Sequence, residues 1–136
     1  MSQNPMIQKL LLYIEKNLDK DLTLDNLAKE FSYSKFYIAR TFLEDTGVTL
    51  YKYIQGRRLS EAARKLVETE KPIAWIAYEA CYNSQQAFTL AFRKAYLCSP
   101  QSYRRNKVFY PKQNSLVVRQ SISGRPGGVI KGRAAA

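Results

Sequence analysis

The chain has 136 residues, 46% of them hydrophobic, with a formal net charge of +11 and no histidine. That length and apolar content suit one compact domain with a real core, and no run reaches the roughly 18 apolar residues that suggest a membrane span. The missing imidazole removes the commonest general base and any His-containing zinc site.

Charge is also distributed unevenly. Residues 1–79 hold 12 Lys/Arg against 11 Asp/Glu, whereas residues 80–136 hold 10 Lys/Arg and no acid. A basic excess confined to one part of a chain suits a polyanion such as DNA, RNA or an acidic membrane face. A merely solubilising tail is the alternative for residues 107–136. The N-terminus lacks the basic start, apolar stretch and cleavage site of a secretory leader, so a cytoplasmic protein is expected. Cys81 and Cys98 fit neither a disulfide framework nor a metal knuckle and read as small buried or half-buried thiols. No paired carboxylates, Gly-rich phosphate loop or metal-ligand spacing is found. An enzyme is therefore not expected, nor a cofactor or metal.

Helical periodicity runs from residue 6 to about 106. Ile7, Leu10, Leu11, Ile14 and Leu18 recur at helical spacing, predicting an amphipathic first helix that ends near Asn17–Lys20. Thr23 caps a short second helix with Leu24, Leu27, Ala28 and Phe31 on its inner face. After the polar turn Ser32-Tyr33-Ser34, a third helix capped by Ser34 buries Ile38 and Phe42 and stops at Gly47. Thr49 caps a fourth helix of about 20 residues, about 30 Å long at 1.5 Å per residue. Its inner residues are Leu50, Ile54, Leu59, Ala62, Ala63 and Leu66, with Gly56 marking close packing or curvature. Pro72 falls in the first turn of a fifth helix with Ile73, Ile76, Ala77 and Ala80 inward. Trp75 is read as core or inter-subdomain packing. The turn Cys81-Tyr82-Asn83 leads to Ser84, which caps a sixth helix burying Phe88, Ala91 and Phe92. Ser99-Pro100 starts a last short helix carrying Tyr103 and Arg104.

The expected fold is thus all-α: about seven helices forming two helix-turn-helix subdomains joined by a long central helix, with an irregular basic C-terminal tail. Residues 1–106 form the double unit, with one helix-turn-helix at about 23–45, the linker helix at about 50–68 and the second helix-turn-helix at about 72–96. Residues 107–136, with strand propensity at Leu116-Val117-Val118 and then Gly124, Pro126, Gly127 and Gly128, read as a basic tail or linker, with a partly non-native remnant as the alternative.

The repeated device carries the functional reading. In a helix-turn-helix, a short helix braces a second one that enters the DNA major groove. Once Ile38 and Phe42 turn inward, the third helix presents Lys35, Phe36, Ala39, Arg40 and Leu43. The sixth presents Gln85, Gln86, Thr89, Leu90 and Arg93. Arg reads guanine, Gln reads adenine, and Thr or an aromatic ring touches a thymine methyl. Ser34 and Ser84, with the N–H groups of the helix starts, suit phosphates. Phe36 and Tyr37 either contact the groove or complete the core. A linker of about 30 Å is close to the roughly 34 Å of one DNA turn, so a monomer can read two successive major-groove segments of an asymmetric site.

These residues resemble the DNA-binding domain of the AraC/XylS family, and most closely its MarA/SoxS/Rob branch. The resemblance covers about residues 7–106. It rests on Leu24-Asp25-Asn26-Leu27-Ala28, Tyr33 through Phe42, Thr46 through Leu50, Tyr53-Ile54 through Arg58-Leu59 and Ala62, Ile73 to Ala80, Asn83 through Phe88, Phe92-Arg93-Lys94, and Ser99-Pro100 with Tyr103-Arg104. It implies a bacterial transcription regulator, more often an activator, whose partners are double-stranded promoter DNA and RNA polymerase. It also leaves room for a C-terminal effector-binding domain of the kind larger relatives carry. In that branch a Trp, a Gln and an Arg on the first recognition helix meet DNA; here those positions hold Phe36, Ala39 and Arg40. Gln85, Gln86 and Thr89 match the second helix, whereas Leu90 stands where an Arg is usual. The family's turn glycines are replaced by Ser32 and Cys81, at a cost of about 1 kcal/mol each if those turns remain left-handed. The competing reading is a non-specific or architectural nucleic-acid binder, for which wedge residues and evenly spread charge are the missing signs.

Overall fold

The computed structural model describes residues 4–106. The tail or linker expected over 107–136 lies outside the described residues. Among the described residues there are seven helices and no strand: α1 (Pro5–Lys16), α2 (Leu24–Phe31), α3 (Lys35–Thr46), α4 (Leu50–Glu68), α5 (Ile73–Glu79), α6 (Gln85–Tyr96) and α7 (Pro100–Asn106). No helix there is long and apolar enough to cross a membrane. The chain divides into two compact units, Met1–Gln55 and Gly56–Ala136, with the division inside α4.

In the first unit, α1 starts where Asn4 Oδ1 accepts from the N–H groups of Met6 at 2.9 Å and Ile7 at 3.4 Å, with Pro5 at a position that needs no N–H partner. The helix stops at Lys16, and Asn17 donates from its side chain to the Tyr13 carbonyl at 2.8 Å. Leu18, grouped with α1 by its spacing, therefore lies past the helix end and is half-buried. The apolar stripe of α1 is fully buried at Ile7, Leu10 and Ile14, as are Leu27 of α2 and Ile38 and Phe42 of α3. Phe42 packs on Tyr53 with ring centroids 5.6 Å apart. Gly47 ends α3 at φ 84, a left-handed stop that glycine adopts without steric cost. The buried Thr46 hydroxyl donates to the Phe42 carbonyl at 2.7 Å and accepts from Val48 N–H at 3.2 Å, so its burial leaves no polar atom unsatisfied.

The second unit has a core of Leu59, Ala62, Ala63 and Leu66 from α4, Ile76, Ala77 and Ala80 around α5, Phe88 and Phe92 from α6, and Tyr103 from α7. Phe92 is its hub. Its ring stacks on Tyr96 at 4.6 Å, meets Tyr103 edge-on at 5.4 Å and lies 5.6 Å from Phe88. Two polar ties close this unit. Arg104 donates through Nε to the Leu66 carbonyl at 2.9 Å and through Nη2 to the Thr69 carbonyl at 3.3 Å, satisfying groups that a helix C-terminus leaves unpaired. Glu79 accepts from Lys65 at 3.0 Å and Lys71 at 3.1 Å. The outer side of α4 carries Arg64 between Glu61 at 2.7 Å and Glu68 at 2.9 Å, the one-turn spacing at which such pairs add a few tenths of a kcal/mol.

Three expectations are corrected. Trp75 is not core: its side chain is half out in solvent, at 51% exposure, stacked on the exposed Tyr78 at 5.5 Å. Ile76 and Ala77 already fill the inner face of the two-turn α5, so Trp75 falls on the opposite side. Cys81 is exposed rather than buried, because it occupies the turn itself; Cys98 is half-buried as expected. Pro72 is the N-cap residue of α5 rather than a residue of its first turn.

Candidate nucleic-acid interface

Each unit builds the same local device. In the first, α2 ends at Ser32, which adopts the left-handed conformation (φ 59, ψ 38), and Tyr33 N–H donates back to the Ala28 carbonyl at 3.2 Å. Ser34 then opens α3, its Oγ accepting from Tyr37 N–H at 3.0 Å. In the second, Cys81 is left-handed at φ 68, and Tyr82 N–H donates to the Ala77 carbonyl at 3.1 Å. Ser84 opens α6, accepting from Ala87 N–H at 3.0 Å. The backbone demands αL at both turns, so the Ser and Cys found where a glycine is usual are held in strain of about 1–2 kcal/mol each. Leu97 after α6 adds a third such residue, at φ 64, that the sequence did not flag.

On α3, Ser34, Lys35, Phe36, Tyr37, Arg40 and Leu43 are exposed and Ala39 is half-buried, while Ile38 and Phe42 are fully buried. Neither Phe36, at 74% exposure, nor Tyr37 completes the core; Tyr37 stacks on Tyr33 at 5.0 Å. The Arg40 guanidinium carbon stands 5.8 Å from the centroid of the Phe36 ring. Lys35 Nζ is 3.0 Å from Asp25 of α2, a contact between exposed groups that phosphate can compete for. No acid occurs from Lys35 to Leu43, and Glu44 and Asp45 enter only in the last turn.

On α6, Ser84, Gln85, Gln86, Leu90 and Arg93 are exposed, Thr89 is half-buried, and Phe88 and Phe92 are fully buried. This helix contains no acid. Burial pushes the Cys98 thiol up, and the charge of Arg93 partly offsets that rise. Three carboxylates of the second unit, Glu61, Glu68 and Glu79, are tied up on α4 and α5. Burial alone would raise Glu61, but its bond to Arg64 and the charges of Arg64, Arg57 and Lys65 hold it below its ordinary value. Glu79 behaves likewise, burial being outweighed by Lys65 and Lys71. Among the described residues no cluster of His, Cys, Asp and Glu could hold a metal ion.

Each unit thus brings its sequence-predicted set together on one helix face. Sequence reasoning missed Asp25 beside Lys35, whose only local sign was an acid in the first turn of α2, and the ring beneath Arg40, which the four-residue spacing of Phe36 and Arg40 could have indicated.

Comparison with known proteins agrees with this geometry. A family model described as a helix-turn-helix domain matches residues 27–106. The chain is 42% identical over 104 residues to the regulatory protein SoxS of Escherichia coli (strain K12), covering 76% of this chain and 97% of that protein. It is 42% identical over 106 residues to the right origin-binding protein of Escherichia coli (strain K12), covering 78% of this chain but only 37% of that longer protein. Among solved structures, the C-terminal domain of AraT, a response regulator from Geobacillus stearothermophilus, superposes with a TM-score of 0.72 at 34% identity, over 76% of this chain and 86% of that one. The chain belongs to the AraC/XylS family of DNA-binding transcription regulators, in its MarA/SoxS/Rob branch.

Proposed function

We propose that this protein activates transcription by binding, as a monomer, an asymmetric promoter site whose two successive major-groove segments are read by α3 and α6. The observation that carries this reading is the pair of acid-free exposed faces, each opened by a serine cap. Ser34 and Ser84 with their helix N-termini take phosphates, for which exposed N–H groups and the helix dipole are suited. Arg40 reads a guanine on one segment. Gln85 and Gln86 read adenines on the other, with Thr89 and Leu90 against thymine methyls and Arg93 on a guanine or a phosphate. Lys35 exchanges Asp25 for a phosphate, and Phe36, Tyr37, Ala39 and Leu43 shape the apolar part of the α3 contact. Bound in this way in the bacterial cytoplasm, the protein recruits RNA polymerase.

Selection of bound sites from a random duplex library tests the proposal, with affinity for the winner measured at two salt concentrations. The expected result is one asymmetric motif with two boxes about one helical turn apart, bound by a single chain. A steep salt slope with no enriched motif would instead identify a non-specific binder driven by net charge.

A further inference from the structure

We infer that Phe36 is a positioning residue for Arg40: its ring fixes the guanidinium over the α3 face, so that a single arginine serves as the hydrogen-bonding base reader of that segment. The inference rests on the base-reading role proposed for Arg40. Phe36 precedes Arg40 by four residues, the spacing that places one side chain over the other on a helix, and the guanidinium carbon is 5.8 Å from the ring centroid. That is within the range at which the electron-rich ring face attracts a cation, with arginine the commoner partner. The ring itself is 74% exposed and contributes little to the core, so its placement is not explained by packing.

The neighbouring position makes this platform consequential. Ala39 carries no polar group that could share the reading or hold the guanidinium by a hydrogen bond. An exposed arginine samples many rotamers, and ordering it on DNA costs conformational entropy. A flat platform one turn earlier removes part of that cost before binding, which favours the one base whose edge matches the waiting fork. Phe36 thereby sets selectivity without being a hydrogen-bonding reader.

The test is a double-substitution cycle on the full chain, using the duplex enriched from the random library and its single-base variants as probes. Phe36→Leu should lower discrimination at the Arg40-dependent base pair by roughly two- to fivefold, as loss of an exposed cation–π contact implies. Phe36→Trp should retain that discrimination, and Phe36→Leu should add no further loss in the Arg40→Ala background. Equal thermal midpoints for the two Phe36 variants and the unsubstituted protein are expected from the exposure of the ring. Equal loss in both backgrounds would overturn the inference, since Phe36 would then act on DNA independently of Arg40. So would full discrimination in Phe36→Leu when Arg40→Ala has lost it, and in that case Arg40 stands as a base reader without its platform. If Arg40→Ala changes no base preference, the base-reading assignment falls first, and the positioning role falls with it.

Discussion

The two helix-turn-helix units share a plan and differ by one residue in the turn. From Ser32 to Ser34 the first unit takes three residues, whereas the second takes four from Cys81 to Ser84. Both turns begin left-handed, and both return a tyrosine N–H to an alanine carbonyl of the bracing helix. The tyrosine side chains then part company. Tyr33 is exposed and stacks on Tyr37 at the start of α3, while Tyr82 is half-buried with its ring 5.6 Å from Phe88. The second unit thus gains an aromatic core member, joining Phe88, Phe92, Tyr96 and Tyr103. The exposed faces differ in the opposite sense. α3 exposes two cations, Lys35 and Arg40, among apolar neighbours, whereas α6 carries Gln85, Gln86, Thr89 and Arg93 on the corresponding face. On the proposed function, the same backbone device would support a sparse reader in one unit and a denser one in the other.

The largest effect that can test this contrast lies in the cores. Phe92→Ala should destabilise the protein by about 3–5 kcal/mol, with Phe42→Ala at or below the lower end of that range. Phe42 has one ring partner among the described contacts and Phe92 has three. Urea denaturation of both variants measures this, and a larger loss for Phe42→Ala would remove the distinction between the cores.

Next come the reading faces. Arg40→Ala and Gln86→Ala should each cost about 1–3 kcal/mol of discrimination, at different base pairs. Ala39→Gln should add selection at one base pair of the α3 segment. Competition binding against a panel of single-base variants reads both effects. If the two segments prove equally selective in the unsubstituted protein, the idea of a sparse and a dense reader fails.

A smaller, stabilising effect is expected at the turns. Ser32→Gly and Cys81→Gly should each gain about 1 kcal/mol, because glycine adopts the left-handed conformation without a Cβ clash. Ser34→Ala and Ser84→Ala should each cost a similar amount, and nearly the same in both units, since the two caps accept at the same 3.0 Å. Thermal midpoints that fall in the glycine variants would show that the Ser32 or Cys81 side chain contributes more than its strain.

The smallest effect is on pH dependence. Glu61 and Glu79 are held below their ordinary values in the folded protein, so their contribution is present above that ordinary value and is lost as pH falls through the depressed one. The thermal midpoint should therefore drop on acidification into and below the carboxylate range, and Glu79→Gln should flatten part of that drop. An unchanged slope in Glu79→Gln would mean that its links to Lys65 and Lys71 do not favour folding.

Much of this molecule was legible in one dimension because its determinants are local. Caps such as Thr23, Ser34, Thr49, Ser84 and Ser99 act within three residues, as their hydrogen bonds to Asn26, Tyr37, Lys52, Ala87 and Ser102 confirm. The 3.6-residue period then separates Ile38, Phe42, Phe88 and Phe92 from the exposed faces of α3 and α6. The sequence by itself thus determined the all-α character of the described residues, their seven helices and the residue sets those faces present. Tertiary structure alone decided the rest, because it depends on which distant groups meet. Arg104 ends on the carbonyls of Leu66 and Thr69, 38 and 35 residues away, and Glu79 bridges Lys65 and Lys71. Trp75 faces solvent because Ile76 and Ala77 take the buried side of a helix too short to bury both. Asp25 reaches Lys35 only because the turn at Ser32 brings α2 and α3 together, a meeting that no periodicity encodes.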